Sequence, residues 1–265
     1  MTTSKIYLKS AAVCCPEPAL LESFAITASE VDNALIPATM RRRTSLTTRM
    51  AITAATLACQ QAGVNAQTLP SVFASLGGEI QITDALCRLL PDPEALLSPT
   101  QFHNSVHNTT AGYWSILNQA QAPTTAIAAA DDGFAMGLLE AWSQLQFSPG
   151  DLLLVCYDEY WPQYLAAPIG ETALACALIL STEANHSQSA LARPDRYQTQ
   201  TAAAPLIIDK AWAKLANSAP AAAAIPLLQA LAQPLAPNTP IPLNHRSSLW
   251  FTYFEKHEHS NHESL

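Results

Sequence analysis

The chain has 265 residues, 49% of them hydrophobic and only 13% charged, and its formal net charge is −8 at pH 7. This length and composition predict a globular protein with an extensive core, and the acidic balance argues against a nucleic-acid-binding face, which needs clustered Lys and Arg. The one basic run, Arg41–Arg43, is too short to change this conclusion. The charged fraction is well below the typical value of about 25%, which favours a stable interface with a partner.

The cysteines and the apolar runs indicate where the protein resides. The six cysteines form no Cys-x-x-Cys pair and most lie in apolar stretches, so we interpret them as small core residues. No positively charged leader opens the sequence, and no apolar run approaches the roughly 20 residues that a membrane-spanning helix needs. We therefore expect a cytoplasmic protein with no membrane segment.

The first half of the sequence predicts strands that alternate with helices. Hydrophobic spacing and Gly or Pro stops predict a strand at 5–14, a helix at 44–62 that ends before Gly63, a strand at 72–76 and a helix at 80–90. This rhythm is typical of an α/β layered fold.

The same rhythm continues through the middle of the chain. The patterns predict a helix at 108–119, a strand at 124–130, a helix at 134–145, and strands at 151–156 and 173–180. The last two segments are continuously apolar, which predicts strands that are covered on both faces.

Prolines interrupt the Ala-rich sequence beyond residue 183, so we expect less regular structure there. Short helices are predicted at 211–216 and 226–232, a closing strand at 249–251 and a frayed polar tail at 256–265. We predict a domain over 1–185 and a Pro/Ala-rich extension over 186–265 that packs on it.

A strand, a sharp turn and a helix meet at Ala128–Gly133. The first turn of a helix carries unpaired N–H groups and the positive end of the dipole, which would lower the pKa of a cysteine from about 8.5 and make it a nucleophile. This turn has no thiol or hydroxyl side chain. We expect Asp131 and Asp132 to cap the helix as ionised carboxylates.

The histidines offer weaker candidates for chemistry. His103 and His107 are four residues apart and would share a helix face as a metal pair or an acid–base couple, but no third ligand lies nearby in sequence. The other histidines lie in Pro- and Ala-rich or polar surroundings, so we predict neither a metal site nor a cofactor.

The motif around this turn resembles the β-ketoacyl synthase family. Its order and spacing are carried by Ser98, Pro99, Asn108, Ala111, Gly112, Pro123 and Ile127, which place Asp131 where the family has its reactive cysteine. Further matching residues are Pro37 with Met40–Arg43, Gly77–Glu79, Gly137–Ala141 and Tyr157–Glu159. Together they resemble the short ketosynthase-like N-terminal family, similar to the chain length factors found with ketosynthases that build aryl polyene pigments. The most specific piece is the string from Phe102 to Asn108.

The resemblance implies the N-terminal half of a thiolase-like fold, a mixed sheet flanked by helices, with the second half absent and an apolar layer left bare. It implies a catalytically inactive subunit that pairs with a full-length β-ketoacyl synthase, meets acyl carrier protein only indirectly, and stabilises its partner and shapes the acyl pocket. The residues expected at the partner interface or acyl pocket are Phe102, His103, Asn104, Ser105, His107, Asn108 and Phe134.

Two alternatives remain open from the sequence. One is a free-standing acyl thioester hydrolase or decarboxylase that uses Asp131 or Asp132 with His103 or His107. The other is a docking module in which Arg41–Arg43 binds an acidic carrier protein, although the net charge disfavours it.

Overall fold

The computed structural model describes residues 4–21, 26–162, 164–165, 173–183, 190–196, 219–233, 235–243 and 250–255. Its first elements in chain order are β1 (Tyr7–Cys14), α1 (Pro18–Leu21), β2 (Thr27–Ser29), α2 (Ala38–Arg41), α3 (Leu46–Ala62), β3 (Ser71–Ala74), α4 (Ile80–Cys87), α5 (Pro99–Asn104) and α6 (Thr109–Asn118). They are followed by β4 (Thr124–Ile127), α7 (Gly133–Phe147), β5 (Asp151–Asp158), β6 (Leu174–Ser181), β7 (Asp195–Arg196), α8 (Ile225–Ala232), β8 (Ile241–Pro242) and β9 (Trp250–Thr252). Short 3₁₀ turns lie at Asn33–Leu35, Ala130–Asp132 and Pro220–Ala224.

In the described part of the chain, a mixed six-stranded sheet has the order β2-β1-β6-β5-β3-β4. Strand β6 is antiparallel to both of its neighbours, whereas β3 is parallel to β4 and to β5. Strand β4 therefore lies at one edge of the sheet. The predicted α/β class and mixed sheet are confirmed, and β7, β9 and β8 form a small second sheet.

The two central strands are buried on both faces, as their unbroken apolar runs predict. Along β5, Leu152 and Leu154 join one core cluster, while Leu153 and Val155 join the other. Side chains alternate across a strand, so a strand between two apolar layers must be apolar at every position. Helices α3 and α6 belong to one layer, and α7 belongs to the other.

Local sequence sets the ends of α3, the helix that packs on the centre of the sheet. The Ser45 hydroxyl accepts a hydrogen bond from the Thr48 backbone N–H at 3.0 Å, which satisfies a donor that the first turn cannot. The helix ends at Gly63, whose φ of 66° is in the left-handed region. The predicted stop before Gly63 is confirmed, and the helix begins two residues after its predicted start at residue 44.

The C-terminal part of the chain covers the second face of the sheet. The buried cluster that contains α7 also includes Ala219, residues 221–225, Leu227 and Leu228. Small alanine side chains allow this backbone to approach the strands closely. The bare apolar layer expected from the sequence is therefore wrong for this face, because residues 219–233 and 235–243 contribute to its core.

Two of the predicted C-terminal elements are confirmed, a helix as α8 and a closing strand as β9. The helix predicted at 211–216 and the tail at 256–265 lie outside the described residues. Within the described ranges, no helix combines the length and apolar character needed to cross a membrane.

Candidate functional site

The turn between β4 and α7 has the predicted shape but not the predicted caps. The strand ends at Ile127, Ala130 has a φ of 45°, and a 3₁₀ turn leads directly into the helix. Asp132 is the N-cap residue of α7, yet its side chain makes no capping hydrogen bond. The capping prediction for Asp131 and Asp132 is therefore wrong. The left-handed Ala130 turns the chain so sharply that the two carboxylates are half-exposed and have no hydrogen-bond or ionic partner among the described residues.

Three of the buried thiols cannot act in place of the missing nucleophile. Burial raises the pKa of Cys14 and of Cys59 to about 12. The pKa of Cys156 is also raised well above its usual value, first by its contact with Cys176 and then by burial. Because the thiolate is the attacking species, these groups are unreactive near neutral pH.

Three acidic side chains are buried where β3 and β5 end, close to this turn. Glu79, Asp158 and Glu159 are 1%, 1% and 5% exposed. Among the described residues, no ion pair compensates their charge. Isolated carboxylates are strongly disfavoured in such surroundings, so each must be neutralised or richly hydrogen-bonded.

The carboxylate of Asp158 is richly hydrogen-bonded. Its Oδ1 accepts hydrogen bonds from the Ser75 hydroxyl at 3.1 Å and the Leu76 N–H at 2.8 Å, and its Oδ2 accepts one from the Ala221 N–H at 2.8 Å. Burial nevertheless raises its pKa to about 7, and the donors only partly oppose this shift. The carboxyl group joins the turn after β3 to the C-terminal 3₁₀ turn.

Glu79 and Glu159 accept hydrogen bonds from groups at the starts of α3 and α4. Glu79 Oε1 accepts hydrogen bonds from the hydroxyls of Ser45, at 2.8 Å, and Thr48. Glu159 Oε1 accepts one from the Gln81 N–H at 3.1 Å, in the first turn of α4. Burial raises the pKa of Glu79, and it raises the pKa of Glu159 to about 7.

His107 is fastened to the same end of the sheet. Its Nε2–H donates to the Ser75 carbonyl at 3.0 Å, and its own carbonyl accepts from the Tyr157 hydroxyl at 3.5 Å. Its backbone also packs against Gly78, whose φ is 54° and where a Cβ atom would lie 3.2 Å from the His107 Cα. The imidazole is therefore occupied in holding structure rather than directed at Asp131.

The other residues predicted in the 99–108 segment divide into buried and exposed ones. Asn104 is 2% exposed, and its side chain accepts a hydrogen bond from the Tyr113 hydroxyl at 3.0 Å and donates to the Arg43 carbonyl at 2.5 Å. Phe102 is 64% exposed, and His103 and Asn108 are also exposed. Ser105 is half-buried and donates to the Phe102 carbonyl at 2.8 Å. The segment is thus fastened by two side chains and presents the others outward.

The structure does not bring all of the predicted residues together. Phe134 is only 1% exposed and lies in the core layer of α7, away from solvent. Neither His103 nor His107 shares a hydrogen bond with Asp131 or Asp132 in the described part of the chain. His103 lies on α5 and His107 lies beyond the end of that helix, so the two do not share one helix face.

Sequence reasoning did not identify the buried acids as a group. Asp158 is the last residue of β5 and Glu159 follows it directly, while Glu79 follows the glycine pair after β3. An acid at the carboxyl end of a buried strand was the available signal. Their common burial depends on which strands are neighbours, and that order is a property of the tertiary structure.

The fold and the turn define the class first: a mixed sheet between two helical layers, with a strand, a sharp turn and a helix at its edge, is a thiolase-like architecture. The model of the β-ketoacyl synthase N-terminal domain matches residues 17–231. Since this is most of the chain, the protein belongs to that family. Among curated proteins, no significant sequence match exists.

Solved structures share the fold at low identity. One is a chain of the ketosynthase ApeO in complex with its chain length factor ApeC from Xenorhabdus doucetiae, with 17% identity, a TM-score of 0.68, and coverage of 94% of this chain and 99% of that one. A β-ketoacyl synthase from Burkholderia phymatum STM815 matches with 12% identity, a TM-score of 0.55, and coverage of 88% and 71%. The ishigamide ketosynthase/chain length factor matches with 10% identity, a TM-score of 0.55, and coverage of 72% and 67%.

Proposed function

We propose that this protein is a non-catalytic subunit, similar to a chain length factor, that pairs with an active β-ketoacyl-acyl carrier protein synthase. It stabilises that enzyme and helps to shape its acyl pocket, and it meets acyl carrier protein only through its partner. The observation that carries the proposal is the family's strand, turn and helix with Asp131 where the reactive cysteine is expected. A carboxylate has no sulfur atom and therefore cannot form the thioester that chain extension needs.

An uncovered edge and exposed apolar side chains support a partner. Strand β4 ends the six-stranded sheet, and among the described residues no second strand pairs with its outer side, where another chain could bind. The 99–108 segment exposes Phe102 and Val106, at 64% and 50%. In the proposed pseudo-two-fold heterodimer we expect this segment to lie near the ketosynthase interface and acyl pocket, in an interface that buries roughly 2,000 Å² or more.

The comparisons support the kind of partner. Two of the structures that share the fold are ketosynthase and chain length factor assemblies. The string from Phe102 to Asn108 is the most specific resemblance to the partner subunits of aryl polyene ketosynthases, so we assign the protein to aryl polyene biosynthesis in the cytoplasm. In this proposal 1–185 is the ketosynthase-like domain and 186–265 is an extension packed on it, which the burial of residues 219–225 supports.

Co-expression tests the proposal. The chain is produced with and without a ketosynthase that has an intact Cys-His-His set and is encoded beside it, and soluble yield, molar mass and product length are measured. We expect a 1:1 complex, more soluble ketosynthase and a changed distribution of product lengths. Asp131→Asn is the matched control and should behave as wild type, because no reaction passes through this residue. Equal solubility and equal product lengths without the chain would refute the proposal.

The alternative function is a free-standing acyl thioester hydrolase or decarboxylase. The unpartnered, half-exposed carboxylates of Asp131 and Asp132 are the observation in its favour. The isolated chain is incubated with acyl and malonyl thioesters, and release of free thiol is followed. Turnover that disappears in Asp131→Asn would establish this function and displace the first.

A further inference from the structure

The way in which the 99–108 segment is held suggests a role for a residue that does not reach the surface. Two side chains fasten the segment, Asn104 at its middle and His107 near its end. The acceptor of His107 is the Ser75 carbonyl, which belongs to the turn that follows β3. The position of His107 therefore depends on the shape of that turn.

The turn after β3 is held in shape by the buried carboxylate of Asp158. This carboxylate accepts hydrogen bonds from the Ser75 hydroxyl and the Leu76 N–H. The Ser75 hydroxyl in turn accepts one from the Gly78 N–H at 2.8 Å, so a single side chain organises the whole turn. The left-handed conformation of Gly78 then brings the backbone of His107 within contact.

The second oxygen of the same carboxylate holds the C-terminal segment. It accepts from the Ala221 N–H, in the first turn of the 3₁₀ segment that runs on into α8. The N-cap residue Ala219 has no side chain that can satisfy such a donor, so Asp158 caps this helix start from a distant part of the sequence. We call Ser75, Leu76, Asp158 and Ala221 the Asp158 network.

We propose that Asp158 is a positioning residue, which acts through Ser75 and His107 to hold the 99–108 segment in the conformation that a ketosynthase partner binds. The proposal rests on the function proposed above and deepens it. Asp158 is 1% exposed, so it cannot contact the partner itself. Its loss should loosen the segment from within, because networks of buried hydrogen bonds lose more than one contact when one member is removed.

Replacing Asp158 by asparagine tests the Asp158 network with little change in side-chain volume. In Asp158→Asn the amide nitrogen must face either the Leu76 and Ser75 donors or the Ala221 N–H, so at least one buried donor loses its acceptor. We expect faster hydrogen exchange in 99–108 and 219–232 of the isolated variant, and an affinity for the ketosynthase that falls about tenfold. The exposed Asp92→Asn is the matched control and should change neither measurement.

A pair of histidine variants separates positioning from general stability. Glutamine keeps a donor that reaches the Ser75 carbonyl, whereas alanine has none, so His107→Gln should retain partner affinity and the product-length distribution while His107→Ala loses both. A core variant with the same loss of unfolding free energy as Asp158→Asn, such as Val72→Ala, should bind more tightly than Asp158→Asn. If the core variant and Asp158→Asn bind equally weakly, Asp158 is only structural and the inference is wrong.

The outcomes distinguish this inference from the proposed function. If the wild-type chain does not bind a ketosynthase, the proposed function fails, and the exchange measurement on the isolated chain still tests the network. If the wild type binds and Asp158→Asn binds equally well with unchanged exchange in 99–108, the inference fails while the proposed function stands.

Discussion

Replacing Glu159 by glutamine should remove a pH dependence of stability. Burial raises the pKa of this carboxyl from 4.5 to about 7. A group whose folded pKa lies above its unfolded value contributes stability that is complete below the unfolded pKa and is lost as the pH rises through the folded pKa. For Glu159 this loss begins near pH 4.5 and is complete above about pH 7.

The magnitude follows from the shift of about 2.5 pKa units. One unit corresponds to 1.36 kcal/mol, so the ionised, buried carboxylate costs on the order of 3 kcal/mol above pH 8. Glutamine keeps an oxygen that accepts from the Gln81 N–H, and its amide can donate to the hydroxyl of Thr47, which lies beside this side chain. The variant should therefore gain stability at high pH without losing the helix cap.

The assay is urea unfolding followed by tryptophan fluorescence at pH 5 and pH 8.5. We compare the free energy of unfolding of Glu159→Gln with that of wild type at each pH. The gain in the variant should be about 2 to 3 kcal/mol larger at pH 8.5 than at pH 5. Glu94→Gln is the control, because this glutamate is exposed and its replacement should not change the difference in unfolding free energy between pH 5 and pH 8.5. If the difference in unfolding free energy between Glu159→Gln and wild type is the same at both pH values, the carboxyl is not neutral at low pH in the folded protein, and the reasoning is refuted.

Three further predictions concern the turns and the surface. Gly78→Ala should destabilise the chain by about 1 to 3 kcal/mol in urea unfolding, because its φ is positive and a Cβ would press on a neighbouring backbone, whereas Gly112→Ala, with open space around it in α6, should be neutral or stabilising. A cysteine introduced as Asp131→Cys should react with iodoacetamide faster than free cysteine at pH 7, since the helix start favours the thiolate, yet should not give chain extension; a slow reaction would contradict the assigned turn geometry. Phe102→Ser should weaken copurification with the ketosynthase, whereas Phe147→Ser, at an even more exposed phenylalanine at the end of α7, should not; equal effects would remove the case for a specific surface.

Much of the fold could be predicted because the deciding signals are local. The continuous apolar runs became β5 and β6, and Ser45 and Gly63 set the ends of α3. Capping, glycine conformation and the period of apolar residues involve only a few neighbouring positions, so they can be read without knowing the fold. The absence of a nucleophile at Ala128–Gly133 is likewise a property of the sequence alone.

Predictions about side-chain environment were less secure. Asp131 and Asp132 were expected to cap a helix, but the left-handed Ala130 turns the chain so that neither carboxylate does so. Phe102 and Phe134 are both phenylalanines on helices, yet one is 64% exposed and the other 1%. Nothing in the local pattern separates them, because exposure depends on which layer faces each helix.

The sequence by itself determined the alternation of strands and helices, the family to which the chain belongs, and the aspartate that replaces a reactive thiol. Only the tertiary structure decided that Ser75, Asp158 and Ala221 meet, because they are 83 and 63 residues apart along the chain. The order of strands in the sheet and the return of the C-terminal segment over α7 bring them together. A buried carboxylate can be stabilised only by donors that arrive from such distant segments, so its role depends on long-range packing that no local pattern encodes.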